Sequence, residues 1–391
     1  MMLTSPSITS PVSSTIPLSV PPTESTGRFE EVVLEASQRH TPTLIGLSLP
    51  ALEALAESMG EPKFRAKQLH HWLYVKCVRN LEDMSDLSKA FRTKLAERFE
   101  HIGPLVLHTK QVSKDGTIKY LFKLHDGQVV ESVLMPYQER GTFSVCISSQ
   151  VGCAVGCEFC ATGKLGFKRN LTAAEILDQY LFVQRDCGEE VRNIVFMGQG
   201  EPLLNLEHLL PAIHILNHSA EVGMRRMTIS TSGIVPGIYE LANSGIPVTL
   251  AISLHGPTNA VREAIMPINK RWPLEQLMPA LKTYHESNKR RLTIEYILLE
   301  GVNDEHKHAI ALAQLLKPLM CHINLIPYNP ISSSLPNVKA FKRPSRERIE
   351  DFAETVFKLS NKKVTIRLER GVDIDAACGQ LANRLREAET L

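Results

Sequence analysis

The chain has 391 residues, 43% of them hydrophobic and 22% charged, and its 44 Lys and Arg stand against 42 Asp and Glu for a formal net charge of +2 at pH 7. This length and composition suit a globular protein with one large domain and one or two small ones. A balance so near neutrality neither demands nor excludes a nucleic-acid partner, so that question rests on local patches. Eight cysteines, at 77, 146, 153, 157, 160, 187, 321 and 378, include three within eight residues of one another. That clustering indicates thiolate chemistry in a reducing compartment and excludes a secreted disulfide framework. No run of about 18 apolar residues occurs, which excludes a membrane-spanning helix. The first basic residue is Arg28, so the charged start of a signal peptide is missing.

Residues 1–27 are rich in Ser, Thr and Pro and lack apolar periodicity, which predicts a disordered tail. An organelle transit peptide would be rich in Arg, and this segment is not, so the expectation is a cytoplasmic protein. Residues 28–101 form an expected helical domain: LPALEALAESMG, FRAKQLHHWLYVK and LSKAFRTKLAERF repeat apolar residues at helical spacing. Residues 102–141 form an expected β-hairpin connector, alternating with period two and carrying turn signals at Lys114-Asp115-Gly116 and Asp126-Gly127. From residue 142 to 391, strand-like runs alternate with helical stretches: FSVCISS, RNIVFMG, RMTIST, PVTLAIS, LTIEYIL and HINLIPY, then VTIRLE. Such alternation predicts an α/β fold with a parallel sheet wrapped by helices, and six units suit a partial or full barrel with its chemistry at the carboxyl ends of the strands.

Cys153, Cys157 and Cys160 follow the first of these strands as CxxxCxxC. Three thiolates can ligate three irons of a cubane and leave the fourth iron open for a small-molecule chelate. The competing reading is a structural zinc site, which takes four ligands and usually presents two paired knuckles. A second CxxC is missing, although Cys146, seven residues upstream, could serve as a fourth ligand.

The CxxxCxxC after the first strand of an α/β barrel resembles the radical S-adenosylmethionine superfamily. The run CISSQVGCAVGCEFCATG, followed by FMGQGEP, STSG, AISLH, PYNP and a late ACGQL, resembles its RlmN/Cfr branch, the radical RNA adenine methyltransferases. The resemblance implies a partial (β/α)6 barrel with a small N-terminal helical domain. It also implies one [4Fe–4S] cluster on Cys153, Cys157 and Cys160, and two S-adenosylmethionine molecules per turnover. By that likeness Cys378 is methylated by polar attack, and a 5′-deoxyadenosyl radical then removes hydrogen from the methyl group. The methylene radical adds to adenine, Glu131 takes the proton from the adduct, and Cys146 releases the product by forming a transient Cys146–Cys378 disulfide. Gly200 and Glu201 of the GEP segment, Ser230, the Ser253-Leu254-His255 run and Asn329 match the remaining S-adenosylmethionine contacts. Without the resemblance, Cys146 reads as a small core hydrophobe and Glu131 as a solvated strand residue. Cys77, Cys187 and Cys321 match no catalytic motif.

The implied substrate is carbon 2 of adenine, in 23S rRNA at the peptidyl-transferase centre and in tRNA beside the anticodon. A flavodoxin- or ferredoxin-like protein is the expected electron donor. Methylation at carbon 8, as in the Cfr type, uses the same cysteine machinery and stays open as an alternative, as does a non-catalytic zinc-stabilised RNA-binding protein. Basic residues that suit phosphate contact are Lys63, Arg65, Lys67, Lys76 and Arg79 around Trp72 and Tyr74, then Lys164, Lys168 and Arg169, and Lys289-Arg290-Arg291. The two aromatics could stack on bases, although their helical spacing also suits a core.

Overall fold

Three helices open the described chain, Leu49–Ser58, Phe64–His70 and Lys89–Arg98. Ser48 and Ser88 start the first and third by accepting hydrogen bonds from the Ala51 and Phe91 amides, which satisfies donors a helix otherwise leaves unpaired. The second runs into a π-helical turn over His71–Val75. The computed structural model describes residues 43–137, 141–331, 335 and 337–383. The expected tail, and residues 28–42 of the expected helical domain, lie outside them. The apolar faces of the helices, among them Leu52, Leu69, Leu73, Phe91 and Leu95, belong to the same core as the sheet that follows.

Three antiparallel strands come next: β1 (Val106–Val112), β2 (Ile118–Lys123) and β3 (Val129–Tyr137). Gly116 and Gly127 adopt φ +83° and +77° at the two expected turns, a conformation open to glycine at no steric cost. The strand β4 (Thr142–Cys146) pairs antiparallel with β3, from Val133 opposite Cys146 to Tyr137 opposite Thr142. A separate two-stranded ribbon, β5 (Gln150–Gly152) and β6 (Phe167–Asn170), flanks the cysteine loop. Six strands then continue from β4 in parallel: β7 (Val191–Phe196), β8 (Met227–Thr231), β9 (Thr249–Ser253), β10 (Leu292–Leu298), β11 (Cys321–Pro327) and β12 (Val364–Ile366).

Helices such as Ala173–Cys187, Leu206–His218 and Arg346–Ser360 cross between consecutive parallel strands, as parallel pairing requires. The sheet order is β1-β2-β3-β4-β7-β8-β9-β10-β11-β12. It is the α/β architecture expected, a partial barrel, with one addition. The hairpins extend the barrel's own sheet, because β3 occupies the edge of β4 that a closing strand would need. Among the described residues no helix is long and apolar enough to cross a membrane.

One polar joint ties the N-terminal helices to the helix Ala173–Cys187 and to the chain entering β1. The Arg79 guanidinium pairs with Asp178, whose side chain is 0% exposed and whose Oδ2 also accepts from Leu105 N at 3.0 Å. Removing the carboxylate leaves the buried Leu105 amide without a partner and the Arg79 guanidinium with its bond to Leu105 O but no counter-charge there. Asp178→Ala is therefore expected to destabilise the fold by roughly 2–3 kcal/mol, less than a fully buried pair because part of Arg79 stays in water. Denaturant unfolding that moved by under about 0.5 kcal/mol, the scale of an ordinary surface change, would show that the joint does not hold the helices.

Candidate active site

The cysteine triplet sits on a loop that leaves the β5–β6 ribbon and enters the short helix Ala161–Leu165. Backbone hydrogen bonds fix it from three sides: Cys153 N to Gly166 O at 3.1 Å, Glu158 N to Ile265 O at 2.9 Å, and Ala161 N to Gly379 O at 2.7 Å. Gly152, at φ +72°, lies against the Gly166 carbonyl where a Cβ would collide. Cys153, Cys157 and Cys160 line one chamber of about 160 Å³. Burial, and secondarily the neighbouring thiols, push Cys153 up to about 12 and Cys157 well above its ordinary range. For Cys160 burial likewise raises the thiol.

The rest of that chamber is built from strand ends. Gly200 has φ +104°, and a Cβ there would lie 2.6 Å from Gln150 Cβ and 2.8 Å from Gln150 N, so only glycine lets β7's end pass the β5 strand. Glu201 is 3% exposed; its carboxylate accepts from Ser232 N and Oγ, both at 2.6 Å, and from Leu203 N at 3.1 Å. Burial raises its pKa against those hydrogen bonds. Ser230, Ser253 and His255 also line the chamber. Burial, then Arg262, push His255 down to about 3. Its Nδ1 accepts from Ile297 N at 3.0 Å, which leaves the ring proton on Nε2. The Leu254 side chain is fully buried in the main core, and its backbone N and O are taken by Glu295 O and by Gly256 N and Arg262 Nε, so Leu254 does not line the chamber.

A second and larger cavity, about 660 Å³, opens between β3 on one side and β11 and β12 on the other. Lys114, Asp115 and Tyr137 line one wall, and Asn329, Thr365 and Arg370 the other. Three residues border both cavities: Ile326, Arg367 and Cys378. Cys378 lies on the loop after β12, beside Asn329, whose Nδ2 donates to the Cys378 carbonyl at 3.5 Å. The structure therefore puts Asn329 with the larger cavity and the Cys378 loop. Cys146, at the end of β4, is partly buried, and burial followed by the nearby Cys378 pushes its thiol up to about 12.

Glu131 is not a solvated strand residue. It is 0% exposed, and its carboxylate meets Lys119 Nζ at 3.4 Å, Gln199 Nε2 at 3.2 Å and Asn383 N at 3.0 Å. Burial raises its pKa and Lys119 opposes that rise. The residue lines neither cavity.

A model of the radical SAM superfamily matches residues 147–313, and one of the ribosomal RNA large subunit methyltransferase N-terminal domain matches residues 43–100. A probable dual-specificity RNA methyltransferase RlmN from Nostoc punctiforme is 47% identical over 346 residues, which cover 87% of this chain and 93% of the relative. The chain belongs to the RlmN family. A relative of the same description from Bacillus cytotoxicus is 45% identical over 94% of this chain and 99% of its own. The crystal structure of a radical SAM methyltransferase from Sphaerobacter thermophilus superposes with a TM-score of 0.82 at 42% identity, covering 88% of this chain and 99% of that one.

Membership of the radical SAM superfamily implies a [4Fe–4S] cluster and S-adenosylmethionine, and the residues present fit both. Three thiols share one chamber, and each is free of disulfide bonding. Among the described residues no three or more His, Cys, Asp or Glu side chains converge as one ion would require; in a cubane each thiolate takes its own iron. The chamber also offers a carboxylate and strand-end hydroxyls for a polar ligand.

Three charged residues of the RlmN-family site escaped the sequence reading. Arg262 is 0% exposed and donates to Leu254 O at 3.1 Å, to Asn269 Oδ1 at 2.9 Å and to Ser232 O, tying two strand ends together. Glu295 accepts from Asn324 at 2.9 Å and faces Arg367, whose guanidinium is held above its usual range chiefly by Cys378. A signal was present for two of them. The charge inside LTIEYIL interrupts a buried strand, and the charge inside VTIRLE breaks an apolar run; a charge drawn into the interior must find a partner.

The expected RNA-facing patches fare unevenly. Tyr74 is 1% exposed and donates to Leu47 O at 2.7 Å, so it is core and stacks on no base. Arg79 is committed to Asp178, and Arg169 to Asp126 and Glu175. Lys289-Arg290-Arg291 precede β10, at the amino ends of the strands, opposite the chamber. Lys63, Lys67, Lys76 and Lys168 remain exposed.

Gly200→Ala puts a methyl into the Gln150 backbone at a positive φ, so β7's end must shift. It is expected to weaken S-adenosylmethionine binding by about tenfold, or 1.4 kcal/mol, as measured by anaerobic titration calorimetry. An unchanged affinity would show that this close approach does not shape the chamber.

Proposed function

We propose that the chain methylates carbon 2 of adenine in 23S rRNA, at the peptidyl-transferase centre, and in tRNA, beside the anticodon. The single observation that carries this reading is that Cys378 borders both the cysteine-triplet chamber and the larger cavity. The naming of its relatives as dual-specificity RNA methyltransferases supports the choice of substrate. Carbon 2 of adenine carries no acidic hydrogen and gives a sulfonium no nucleophile. A one-carbon unit held on a protein sulfur between the radical source and the base meets that difficulty.

On this reading a [4Fe–4S] cluster held by Cys153, Cys157 and Cys160 supplies reductive cleavage of S-adenosylmethionine, with electrons from a flavodoxin- or ferredoxin-like donor. Gly200, Glu201, Ser230, Ser253 and neutral His255 hold the molecule in the smaller chamber. The Cys378 thiolate takes a methyl group from one S-adenosylmethionine by displacement at carbon, leaving S-adenosylhomocysteine. A second molecule is spent in activating that methyl group. The adenine enters the larger cavity unpaired, since the reacting carbon cannot be reached inside a duplex.

Cys146 resolves the adduct by attacking the Cys378 sulfur. The new S–S bond replaces the S–C bond, whose electron pair stays with the modified base, and an external dithiol reduces the disulfide by exchange before the next turnover, becoming a disulfide itself. Because burial keeps Cys146 protonated at neutral pH, its proton must leave as it attacks. Glu131 takes the proton from the adduct; burial raises its pKa, and to reach the adduct its carboxylate must leave Lys119, Gln199 and Asn383 N. The work takes place in the cytoplasm, where both RNAs are found.

Deletion of the gene followed by nuclease digestion and mass spectrometry of rRNA and tRNA is the test. Loss of 2-methyladenosine from both pools, restored by the native chain and not by Cys378→Ala, is the expected result. Loss of 8-methyladenosine with 2-methyladenosine intact would overturn the assignment in favour of carbon 8.

A further inference from the structure

The loop that carries Cys378 has little structure of its own: one 3-10 turn, Val372–Ile374, between β12 and the last described residue. Its order comes from anchors on either side of the cysteine. Downstream, Gly379 O accepts from Ala161 N at 2.7 Å, Leu381 O from Thr162 Oγ1 at 2.8 Å, and Gln380 Nε2 donates to Pro330 O at 3.0 Å. The first two fasten the loop to the helix that follows the cysteine triplet, and the third to the segment after β11.

Upstream the loop is held by a different part of the chain, the turn between β1 and β2. Asp373 Oδ1 accepts from Ser113 Oγ at 2.5 Å and its Oδ2 from Lys114 N at 3.1 Å. In the reverse sense, Asp115 Oδ2 accepts from Gly371 N at 3.0 Å, while its Oδ1 accepts from Thr117 N at 2.8 Å and keeps the turn in shape. Turn and loop approach so closely that a Cβ at Gly371, φ +61°, would lie 2.8 Å from Ala376 Cβ and 2.9 Å from Thr117 Cγ2. Both carboxylates are exposed, so they stay hydrated and bury little. Their contribution is geometric.

We propose that Asp115 and Asp373 are positioning residues for Cys378: a reciprocal carboxylate clasp between the β1–β2 turn and the cysteine loop sets the sulfur at the junction of the two cavities. The proposal rests on the reading of Cys378 as the carbon carrier. The sulfur must meet a donor in one chamber, a base in the other and Cys146, so a loop anchored only downstream would spread it over many positions. Lys114 and Asp115 also line the larger cavity, so RNA entering there touches the element that holds the cysteine.

The test uses the holoenzyme with its cluster. Hydrogen–deuterium exchange over residues 371–378 reads the clasp directly, and the ratio of 5′-deoxyadenosine formed to RNA methylated reads its consequence. Asp373→Ala is expected to raise both by about tenfold, the scale of one or two lost hydrogen bonds, with iron content and S-adenosylmethionine affinity unchanged. Asp373→Asn should restore both, because the amide can accept from Lys114 N and donate to the Ser113 hydroxyl. Exchange and coupling within twofold of native in Asp373→Ala would overturn the proposal. Ser113→Ala, which removes one hydroxyl, carries the same test with the same directions if Asp373→Ala does not assemble. Should Cys378→Ala still methylate RNA, the carrier assignment fails, and the exchange measurement alone decides the clasp.

Discussion

The site depends on a sheet that does not close. Its order begins at β1 and ends at β12, and the edge of β4 that could have met β12 is taken by β3. The larger cavity lies in the resulting gap, with β3 on one wall and β11 and β12 on the other. A closed barrel would fill its interior with side chains; an open one leaves a cavity that can be entered from the side. The same gap lets the chain after β12 fold back across it and bring Cys378 over the carboxyl ends of the parallel strands.

Such an opening brings buried charge with it, and each such charge around the site is paired. Glu201 rests on Ser232, Arg262 on Ser232, Leu254 and Asn269, Glu295 on Asn324 and Arg367, and Glu131 on Lys119 and Gln199. Unpaired, each would cost several kcal/mol. Arg262 shows what the pairing achieves, because two of its donors hold the ends of β8 and β9 in fixed relation while the third reaches Asn269. The hydroxyls and imidazole that face the smaller chamber are thereby set before any ligand arrives, which reduces the ordering cost of binding.

What could be read from the sequence was local. The cysteine spacing, the hairpin turns at Gly116 and Gly127, and the alternation of strand and helix depend on neighbours a few residues apart. The rest depended on distant pairing. Glu131 looked like a surface residue because its alternation with its neighbours is sound, yet Lys119 and Asn383, the latter 252 residues away, enclose it. Tyr74 and Trp72 offered an aromatic patch, and only the packing of helix on sheet shows Tyr74 turned inward to Leu47 and Gly46. The clasp on the Cys378 loop joins residues more than 250 positions apart, and no periodicity or motif announces such a contact.

The central claim is that one sulfur, placed where the two cavities meet, carries the carbon that reaches the RNA. Its most direct measurement is peptide mass mapping of the anaerobically assembled protein after incubation with S-adenosylmethionine labelled with deuterium in its methyl group. The account predicts the label on the peptide containing Cys378, and its transfer from there to RNA on a further turnover. Label on another residue, or on none while the RNA becomes methylated, would contradict it.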